Sequence, residues 1–377
     1  MSDLAQKIVS MDVWHVQLPV NSRRDHGIGT VANTIDVVIL CLKTESGLTG
    51  FGEASPWSVF TGTAESNFAA LDRYLRPLVV GKTIQDLQCI MNDAEKTVVH
   101  CGEAKAALET ALLDLKGKIL GVPIYELLGG AVRNTIPLSV SLANPEFSAD
   151  IELLQKLREA GIGIVKIKTG IKDHAFDVMR VETLRTDFAE FDVRVDYNQG
   201  LEPTDALRKL RDIEEFDVTF IEQPVPAQDY RIMQNLTAAL ETPLLADETV
   251  FSEADMTRAI EDRLCRCVSV KIMKCGGLTR GQSIAGIAAS AGMAAYGGDM
   301  FETGIAHLAG THMIAASPNI SLGCEFYQAS FYLVEDLLSE AFPVENGEVV
   351  VPSGAGLGMD IDLSRVNHYS VRQSNSA

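Results

Sequence analysis

The chain has 377 residues, of which 46% are hydrophobic, and a formal net charge of −19. This composition supports a folded chain with a large core and excludes a disordered one. The negative charge argues against binding to nucleic acid or to an anionic membrane surface, since both of those partners are themselves negatively charged.

The first ten residues lack the basic and then apolar pattern of a signal peptide, and no segment approaches the ~20 apolar residues of a membrane helix. The seven cysteines are an odd number scattered through apolar segments. This arrangement favours reduced, buried thiols over disulfides or a zinc site. We therefore expect a cytoplasmic protein without a membrane anchor.

The N-terminal part of the chain is predicted to form strands. Ile8–Val20 alternates loosely, Thr34–Thr44 is rich in Val, Ile and Leu, and Leu48–Glu53 follows a short turn. The segment Asn21–Thr30 is polar and glycine-rich, which predicts a mobile loop between the first two strands.

Residues 63 to 121 are predicted to be helical. The clearest helix is Glu103–Leu120, whose apolar residues recur at helical spacing before Gly121 ends it. Strands followed by helices favour a small α+β domain, to which we assign residues 1–130.

From about residue 135 the pattern changes to strands that alternate with amphipathic helices. The predicted strands are Ile136–Leu142, Ile164–Lys168, Val193–Tyr197, Val218–Glu222, Pro243–Asp247, Val268–Met273, Ala294–Gly298 and Ile320–Cys324. Eight such strands predict a (β/α) barrel over residues 131–340. A doubly wound sheet is disfavoured because no glycine-rich turn follows the first strand. Residues 341–377 are expected to pack back on the N-terminal domain.

Charged residues stand at the ends of five consecutive predicted strands. They are Lys166, Lys168, Asp196, Glu222, Asp247 and Lys271. From Lys168 to Lys271, successive charges lie 24 to 28 residues apart, about one strand and one helix. Since the carboxyl ends of barrel strands open on one face, we expect these side chains to meet there.

The three carboxylates among these residues predict a metal site. Asp196, Glu222 and Asp247 would repel one another strongly if they converged without a cation. Oxygen ligands without histidine or cysteine favour a hard ion, Mg²⁺, with Mn²⁺ as a substitute, over zinc.

The lysines lie on two sides of the predicted site. Lys166 and Lys168 alternate on one strand and therefore point to the same side, whereas Lys271 comes from a strand roughly across the barrel. A substrate between them would present opposite faces to Lys168 and Lys271. We expect nearby positive charge to lower the pKa of such lysines toward the range of a general base.

Several segments resemble the muconate-lactonizing (muconate cycloisomerase) subgroup of the enolase superfamily. They are Val165–Thr169, Asp196–Asn198, Ile221–Pro224, Ala246–Glu248, Val270–Gly277, Leu127–Gly130 and Gly354–Gly358. The resemblance covers nearly the whole chain. It implies a modified barrel with an α+β capping domain and one Mg²⁺ on the three carboxylates. It also implies abstraction of the proton α to a carboxylate, which gives a metal-stabilised enolate.

The resemblance also implies roles for individual residues. Lys168 and Lys271 would form the acid/base pair, and Lys166 would help to neutralise the substrate carboxylate. Asn198 and Glu248 would support the metal ligands. The Asn21–Thr30 and Glu53–Phe60 loops would close over the substrate, and homo-oligomers are common in the subgroup.

The substrate is less well defined by the sequence. Asp299 would attract a substrate ammonium group or else cap the next helix. Trp57 and Phe60 could line an apolar or cation–π pocket. Glu302 matches a glutamate of the subgroup, and Glu325 stands where dipeptide epimerases usually carry Asp-x-Asp.

These residues favour a small carboxylate substrate of the amino-acid type. We expect a proline-like or hydroxyproline-like molecule that is epimerised, racemised or dehydrated. The alternatives are muconate-type cycloisomerisation and epimerisation of dipeptides or N-acylamino acids. A hydrolytic barrel is disfavoured by the facing lysines, and a non-catalytic barrel by the intact set of carboxylates and lysines.

Overall fold

The computed structural model describes residues 5–375. The strands in chain order are β1 (Ile8–Pro19), β2 (Arg24–His26), β3 (Gly29–Val31), β4 (Thr34–Thr44), β5 (Thr49–Ala54), β6 (Thr135–Pro137), β7 (Ser139–Leu142), β8 (Ile164–Lys168), β9 (Asp192–Asp196), β10 (Ile221–Glu222), β11 (Leu244–Ala246), β12 (Cys267–Val270), β13 (Ala294–Gly297), β14 (Ile320–Cys324), β15 (Val344–Glu345), β16 (Glu348–Val350) and β17 (Ser370–Ser374).

The helices are α1 (Ala64–Ala69), α2 (Arg76–Val79), α3 (Leu87–Thr97), α4 (Gly102–Leu120), α5 (Ile124–Leu127), α6 (Phe147–Glu159), α7 (His174–Asp187), α8 (Ala206–Glu214), α9 (Tyr230–Ala239), α10 (Glu253–Glu261), α11 (Ile272–Cys275), α12 (Leu278–Ser290), α13 (Gly304–Ala315), α14 (Gln328–Phe331) and α15 (Leu363–His368). A π-helical segment, Ala70–Leu75, lies between α1 and α2, and a 3₁₀ turn, Ile84–Asp86, lies between α2 and α3.

The N-terminal sheet is antiparallel, with the strand order β17–β1–β4–β5. Helix α4 packs closely against β5, because Gly50 and Gly52 have no side chains on the facing surface. A Cβ atom at Gly52 would lie only 1.9 Å from the carbonyl oxygen of Ala107. Most α4 side chains are buried, since the helix contacts both this sheet and α11 of the barrel.

Strands β7 to β14 form one parallel sheet in sequence order. A parallel bridge between Leu138 and Cys324 brings the two edges of this sheet together, so the barrel is nearly closed. The predicted fold class, a modified (β/α) barrel with an α+β capping domain, is therefore confirmed. The strand register sets Lys168 beside Asp196, and Asp196 beside Glu222, at the carboxyl ends of three neighbouring strands.

Two predicted barrel strands differ from the structure. The segment Val268–Met273 is not one strand, because β12 ends at Val270 and Ile272–Cys275 forms the short helix α11. Lys271 therefore stands where the chain leaves the barrel wall. The segment Ile136–Leu142 is divided at Leu138 into β6 and β7, which belong to different sheets.

The expectation of a mobile loop over Asn21–Thr30 was wrong. Strands β2 and β3 form an antiparallel hairpin there, and the N–H of Asp25 donates to the carbonyl oxygen of Ala143 at 3.0 Å. Arg24 is 1% exposed and His26 8% exposed. The hairpin is held by tertiary contacts of polar side chains, which a pattern of apolar residues does not reveal.

The C-terminal residues pair with a strand before the barrel and with the N-terminal sheet. Strands β15 and β16 form a small sheet with β6, and β17 pairs with β1. The N–H of Ile124 donates to the carbonyl oxygen of Gly356 at 3.0 Å. These contacts agree with a C-terminal segment that packs on the capping sheet, while the division at residues 130 and 340 stays a prediction.

Within the described residues, none of the helices is long and apolar enough to cross a membrane. The seven cysteines all lie in this part of the chain as free thiols, and five of them are buried.

Glu53 connects the capping sheet to the barrel. It lies on β5 with 1% of its surface exposed, and its carboxylate accepts hydrogen bonds from the N–H of Thr303 at 2.8 Å and of Ala306 at 3.1 Å, at the start of α13. The hydroxyls of Ser55 and Thr303 also donate to it. This carboxylate therefore caps a barrel helix from the other domain.

We predict that Glu53→Ala lowers the free energy of unfolding by about 3 kcal/mol, because it leaves several buried donors without a partner. Urea denaturation would measure the loss, with Glu182→Ala on the exposed face of α7 as the control. A change below about 0.5 kcal/mol, the range of an ordinary surface substitution, would show that Glu53 does not join the two domains.

Candidate active site

Two lysines on β8 reach the centre of the barrel mouth. Lys166 is fully buried, and its Nζ lies 2.8 Å from Glu222 Oε2, 2.5 Å from Glu325 Oε2 and 3.4 Å from Asp196 Oδ2. The Nζ of Lys168 lies 2.6 Å from Asp196 Oδ2. Burial lowers the pKa of Lys166, but the three carboxylates outweigh burial and raise it well above its ordinary value. Lys166 is therefore a fixed positive charge.

Lys271 faces these residues from the other side of the barrel. Its Nζ lies 2.6 Å from Asp247 Oδ2, and its side chain lines the same cavity as that of Lys168. Burial lowers the pKa of Lys271, but Asp247 and Glu222 raise it further, so the net shift is upward. The lowered pKa expected from the sequence depended on like charges together with a bound Mg²⁺, so it stays a prediction, while the protein groups by themselves shift the pKa upward.

Lys274, four residues beyond the end of β12, is a further buried lysine. Its Nζ donates to Asp247 Oδ1 at 2.8 Å and to the carbonyl oxygen of Asp247 at 2.6 Å. Asp247 thus binds a lysine through each carboxylate oxygen. Burial raises the pKa of Asp247, but these two lysines lower it far more. The helical turn of α11 directs Lys274 toward Asp247. The sequence predicted a strand as far as Met273, and a strand pattern does not indicate this turn.

The carboxylates and nearby amide suit a hard divalent cation. Three buried oxygens among them have no hydrogen-bond partner: Glu222 Oε1, Glu248 Oε2 and Asn198 Oδ1. Burial and the charge of Asp196 raise the pKa of Glu222 to about 7, and burial and Asp247 raise the pKa of Glu248 to about 8. A bound cation would remove this repulsion.

The present spacing of these side chains reflects the lysines between them. Within residues 5–375, no group of three His, Cys, Asp or Glu side chains is close enough to hold a metal. Ammonium groups contact the carboxylates of Asp196, Glu222 and Asp247 instead. The donor chemistry of these carboxylates nevertheless fits Mg²⁺.

A small cavity of about 30 Å³ lies above these charges. Seven of the predicted site residues line it: Trp57, Phe60, Lys168, Asn198, Lys271, Asp299 and Glu325. The predicted ligands Asp196, Glu222 and Asp247 lie beneath it, as do Lys166 and Glu248. The cavity has room for only two or three water molecules.

Aromatic rings close the cavity on the side of the capping domain. The rings of His26, Trp57 and Phe301 contact one another edge to face, with centroids 5.1 to 5.4 Å apart. Burial and the charge of Lys168 hold the pKa of His26 well below its usual range, so the imidazole is neutral. Sequence reasoning missed His26 because it assigned that segment to a loop.

Acidic side chains follow strands β13 and β14 at the cavity wall. Asp299 lines the cavity, and its Oδ2 lies 3.8 Å from His307 Nε2 without a hydrogen bond. Burial, followed by the charge of Glu325, raises the pKa of Asp299 well above its ordinary value. The hydroxyl of Ser141 donates to Glu325, which fixes that carboxylate beside Lys166.

Glu302 lies behind the cavity wall instead of lining it. One of its oxygens accepts a hydrogen bond from the N–H of Met300 at 3.0 Å. Burial and the charge of Glu53 raise its pKa to about 8. A direct contact between Glu302 and a substrate is therefore not supported by its position, and its substrate-binding role stays a prediction.

Arg24 is a further buried charge that the sequence did not single out. Its Nη1 donates to the carbonyl oxygen of Ser141 at 2.5 Å, and its guanidinium lies 4.5 Å from the ring centroid of Tyr332 and 5.1 Å from that of Tyr327. Arg24 contacts aromatic rings and a backbone carbonyl instead of a carboxylate. The sequence therefore offered no charged partner from which its burial could be predicted.

The nearly closed barrel, the capping domain and the mouth lined by lysines and carboxylates define an enzyme of the enolase superfamily. Residues 7–129 match the family described as "Mandelate racemase / muconate lactonizing enzyme, N-terminal domain", and residues 149–365 match "Enolase C-terminal domain-like". The chain belongs to this mandelate racemase and muconate-lactonizing enzyme family. Its members use a divalent metal, typically Mg²⁺.

The chain is similar over its whole length to isomerases of two kinds. It is 30% identical to muconate cycloisomerase 1 of Rhodococcus opacus, covering 98% of this chain and 100% of that protein. It is 32% identical to an L-Ala-D/L-Glu epimerase of Clostridium acetobutylicum, covering 92% and 97%. The crystal structure of a muconate cycloisomerase from Azorhizobium caulinodans is 43% identical, with a TM-score of 0.85 and coverage of 97% and 99%.

These similarities confirm the resemblance to the muconate-lactonizing subgroup and the assignment to isomerases or lyases. They do not support the proline-like substrate expected from the sequence, because the proteins compared are cycloisomerases and a dipeptide epimerase. The alternatives that the sequence left open agree with them better.

Proposed function

We propose that the protein is a metal-dependent epimerase or racemase that moves the proton α to the carboxylate of an amino-acid derivative. The observation that carries this proposal is that Lys168 and Lys271 line one cavity from strands on opposite sides of the barrel. Inversion at a carbon atom needs one group that removes the proton on one face and another that returns it on the opposite face.

Each of the other charged residues has a part in this proposal. Asp196, Glu222 and Asp247 would hold the Mg²⁺, which when bound would stabilise the negative charge of the enolate. Lys166, held by three carboxylates, adds fixed positive charge beneath the substrate. Lys168 and Lys271 hold and move the proton at their Nζ atoms. The aromatic side chains above the cavity exclude water from the reaction.

An amino-acid derivative, such as a dipeptide or an N-acylamino acid, suits the acidic wall. Asp299 Oδ2 offers a buried oxygen without a partner to an N–H donor of the substrate. The 32% identity to an L-Ala-D/L-Glu epimerase supports an amino-acid derivative.

Muconate-type cycloisomerisation is the second candidate. It is favoured by the 43% identity to a muconate cycloisomerase and by the muconate cycloisomerase of Rhodococcus opacus. This reaction requires only one of the two lysines as an acid, so both candidates share the enolate and the metal. The homo-oligomer expected from the subgroup likewise stays a prediction.

Proton exchange in D₂O with Mg²⁺ tests the proposal. Purified protein would be incubated with dipeptides, N-acylamino acids, proline, hydroxyprolines and cis,cis-muconate, followed by NMR and chiral chromatography. We expect deuterium at the α-carbon and inversion in at least one amino-acid derivative. Conversion of muconate alone would select the second candidate, and a lack of any exchange or conversion would refute both.

A further inference from the structure

A second cleft lies beside the catalytic cavity. It measures about 370 Å³, against about 30 Å³ for the cavity itself, and lies between the capping helices α3 and α4 and the barrel loops that follow β11 and β12. Within residues 5–375, Phe60 is the one residue that lines both spaces. The two spaces are therefore neighbours that share the Phe60 side chain.

The partition between them is built from side chains. The ring of Phe60 stacks on that of Phe251 with centroids 5.8 Å apart and planes inclined by 29°. The Nζ of Lys271 lies 4.8 Å from the centroid of Phe60 on the catalytic side, and that of Lys274 lies 5.8 Å from the centroid of Phe251 on the cleft side. Removal of the Phe60 ring would thus open a passage without moving the backbone.

The opposite wall of the cavity is more firmly held. Trp57 and Phe301 separate the cavity from another surface cleft, but each of them also contacts the ring of His26. Three mutually packed rings resist displacement more than one ring stacked on a single neighbour. Phe60 is therefore the weaker barrier around the cavity.

The cleft behind Phe60 favours an uncharged occupant. Its cations are already paired: Lys105 Nζ lies 2.9 Å from Glu95, and Arg280 lies 3.0 Å from Glu95 and 3.2 Å from Glu253. Lys274 is bound to Asp247. Met273, Cys101 and Cys275 add apolar and sulfur surface. An anionic group would have to break one of these pairs, whereas an acyl chain would only displace water. Burial raises the pKa of Glu103, the unpaired carboxyl group that lines the cleft, which favours its uncharged form.

We propose that Phe60 is the residue that limits substrate length, and that the cleft behind it is the space into which a longer, uncharged acyl arm would extend. This inference rests on the proposed function, since it takes the substrate to be an amino acid with an arm on its nitrogen. In the protein as it stands, the Phe60 ring closes the way from the catalytic cavity into this cleft.

The test compares N-acetyl, N-butanoyl and N-hexanoyl derivatives of one amino acid. We expect kcat/KM for α-proton exchange to fall at least tenfold from the acetyl to the hexanoyl compound in the wild type. Phe60→Ala should remove most of this difference. Phe60→Leu keeps a bulky side chain but loses the ring above Lys271, so it should retain the wild-type length preference and report any effect on the base itself.

Filling the cleft provides a second measurement in the same protein. Cys101 lines the cleft and is partly exposed, but burial raises the pKa of its thiol, so a benzyl methanethiosulfonate reagent would be applied at mildly alkaline pH to attach a bulky group there in a Cys89→Ser background. In the Phe60→Ala variant this modification should restore the length preference, and a reducing agent should remove it again. If the modification of Cys101 leaves the length preference of Phe60→Ala unchanged, the acyl arm does not enter the cleft.

Binding of N-acylglycines of the same lengths, measured by calorimetry with Mg²⁺, gives the comparison without turnover. Tighter binding of the hexanoyl compound by Phe60→Ala than by the wild type would support the inference. It would be wrong if no acylglycine bound any variant, or if both proteins ranked them alike. Binding with the expected ranking but without exchange on any N-acylamino acid would instead count against the proposed function.

Discussion

Replacement of Lys271 by alanine is expected to lower the rate of α-proton exchange from one enantiomer of the substrate by about 10³-fold, within the range attributed to general acid–base catalysis. Lys168→Ala should do the same for the other enantiomer. The reason is geometric, because the two Nζ atoms approach the cavity from strands on opposite sides of the barrel. Inversion needs both groups, so each variant should lose racemisation in both directions.

Stereospecific exchange separates this outcome from a general loss of activity. Each enantiomer would be incubated in D₂O and its deuterium content followed by NMR, with Lys156→Ala on the exposed face of α6 as the control lysine. Equal loss of exchange from both enantiomers in both variants would contradict the two-base arrangement. Full activity in both variants would exclude either lysine from the mechanism.

The position of the charged residues could be predicted because barrel geometry is periodic. A charge after each strand must point to the same mouth, and the observed pairing of Lys168 with Asp196 and of Asp196 with Glu222 follows from that repeat. The sequence pattern thus predicted the inner part of the candidate site, together with the alternation of eight strands with helices in the barrel.

The outer part of the site could not be predicted in this way. Arg24 and His26 are buried on a hairpin whose alternation of buried and less buried residues is carried by polar side chains. Lys274 turns inward only because α11 begins directly after Lys271. These positions depend on contacts between distant segments, such as Arg24 with Ser141, and no local spacing records such a contact.

The same limit applies to the substrate. The amino-acid character of the proposed substrate depends on Asp299 and its neighbours, whose surroundings come from β13, β14 and the capping loops together. Asp299 has a pKa raised by burial and by Glu325, so its charge is set by packing and by a residue on the adjacent strand. A sequence gives the residue type at this position but not its protonation state.

Substitution of Glu222 by glutamine is expected to abolish the binding of Mg²⁺ and, with it, the activity. Glu222 is fully buried between Asp196 and Asp247 and has an oxygen without a partner, so it is the central member of the proposed ligand set. The amide keeps the size of the side chain but removes its negative charge. We predict a loss of activity of about 10³-fold or more, since a metal at the developing enolate contributes several kcal/mol.

Thermal unfolding tests this prediction without turnover. Mg²⁺ at 100 times its dissociation constant should stabilise the wild type by about 2.7 kcal/mol, because it binds the folded protein alone. EDTA should remove that stabilisation, and Mn²⁺ should restore it. Glu222→Gln should show none of these shifts, whereas Glu182→Gln on the surface of α7 should behave like the wild type. A wild-type response in Glu222→Gln would place the metal elsewhere and remove the charge balance on which the proposed roles of Lys166 and Lys271 depend.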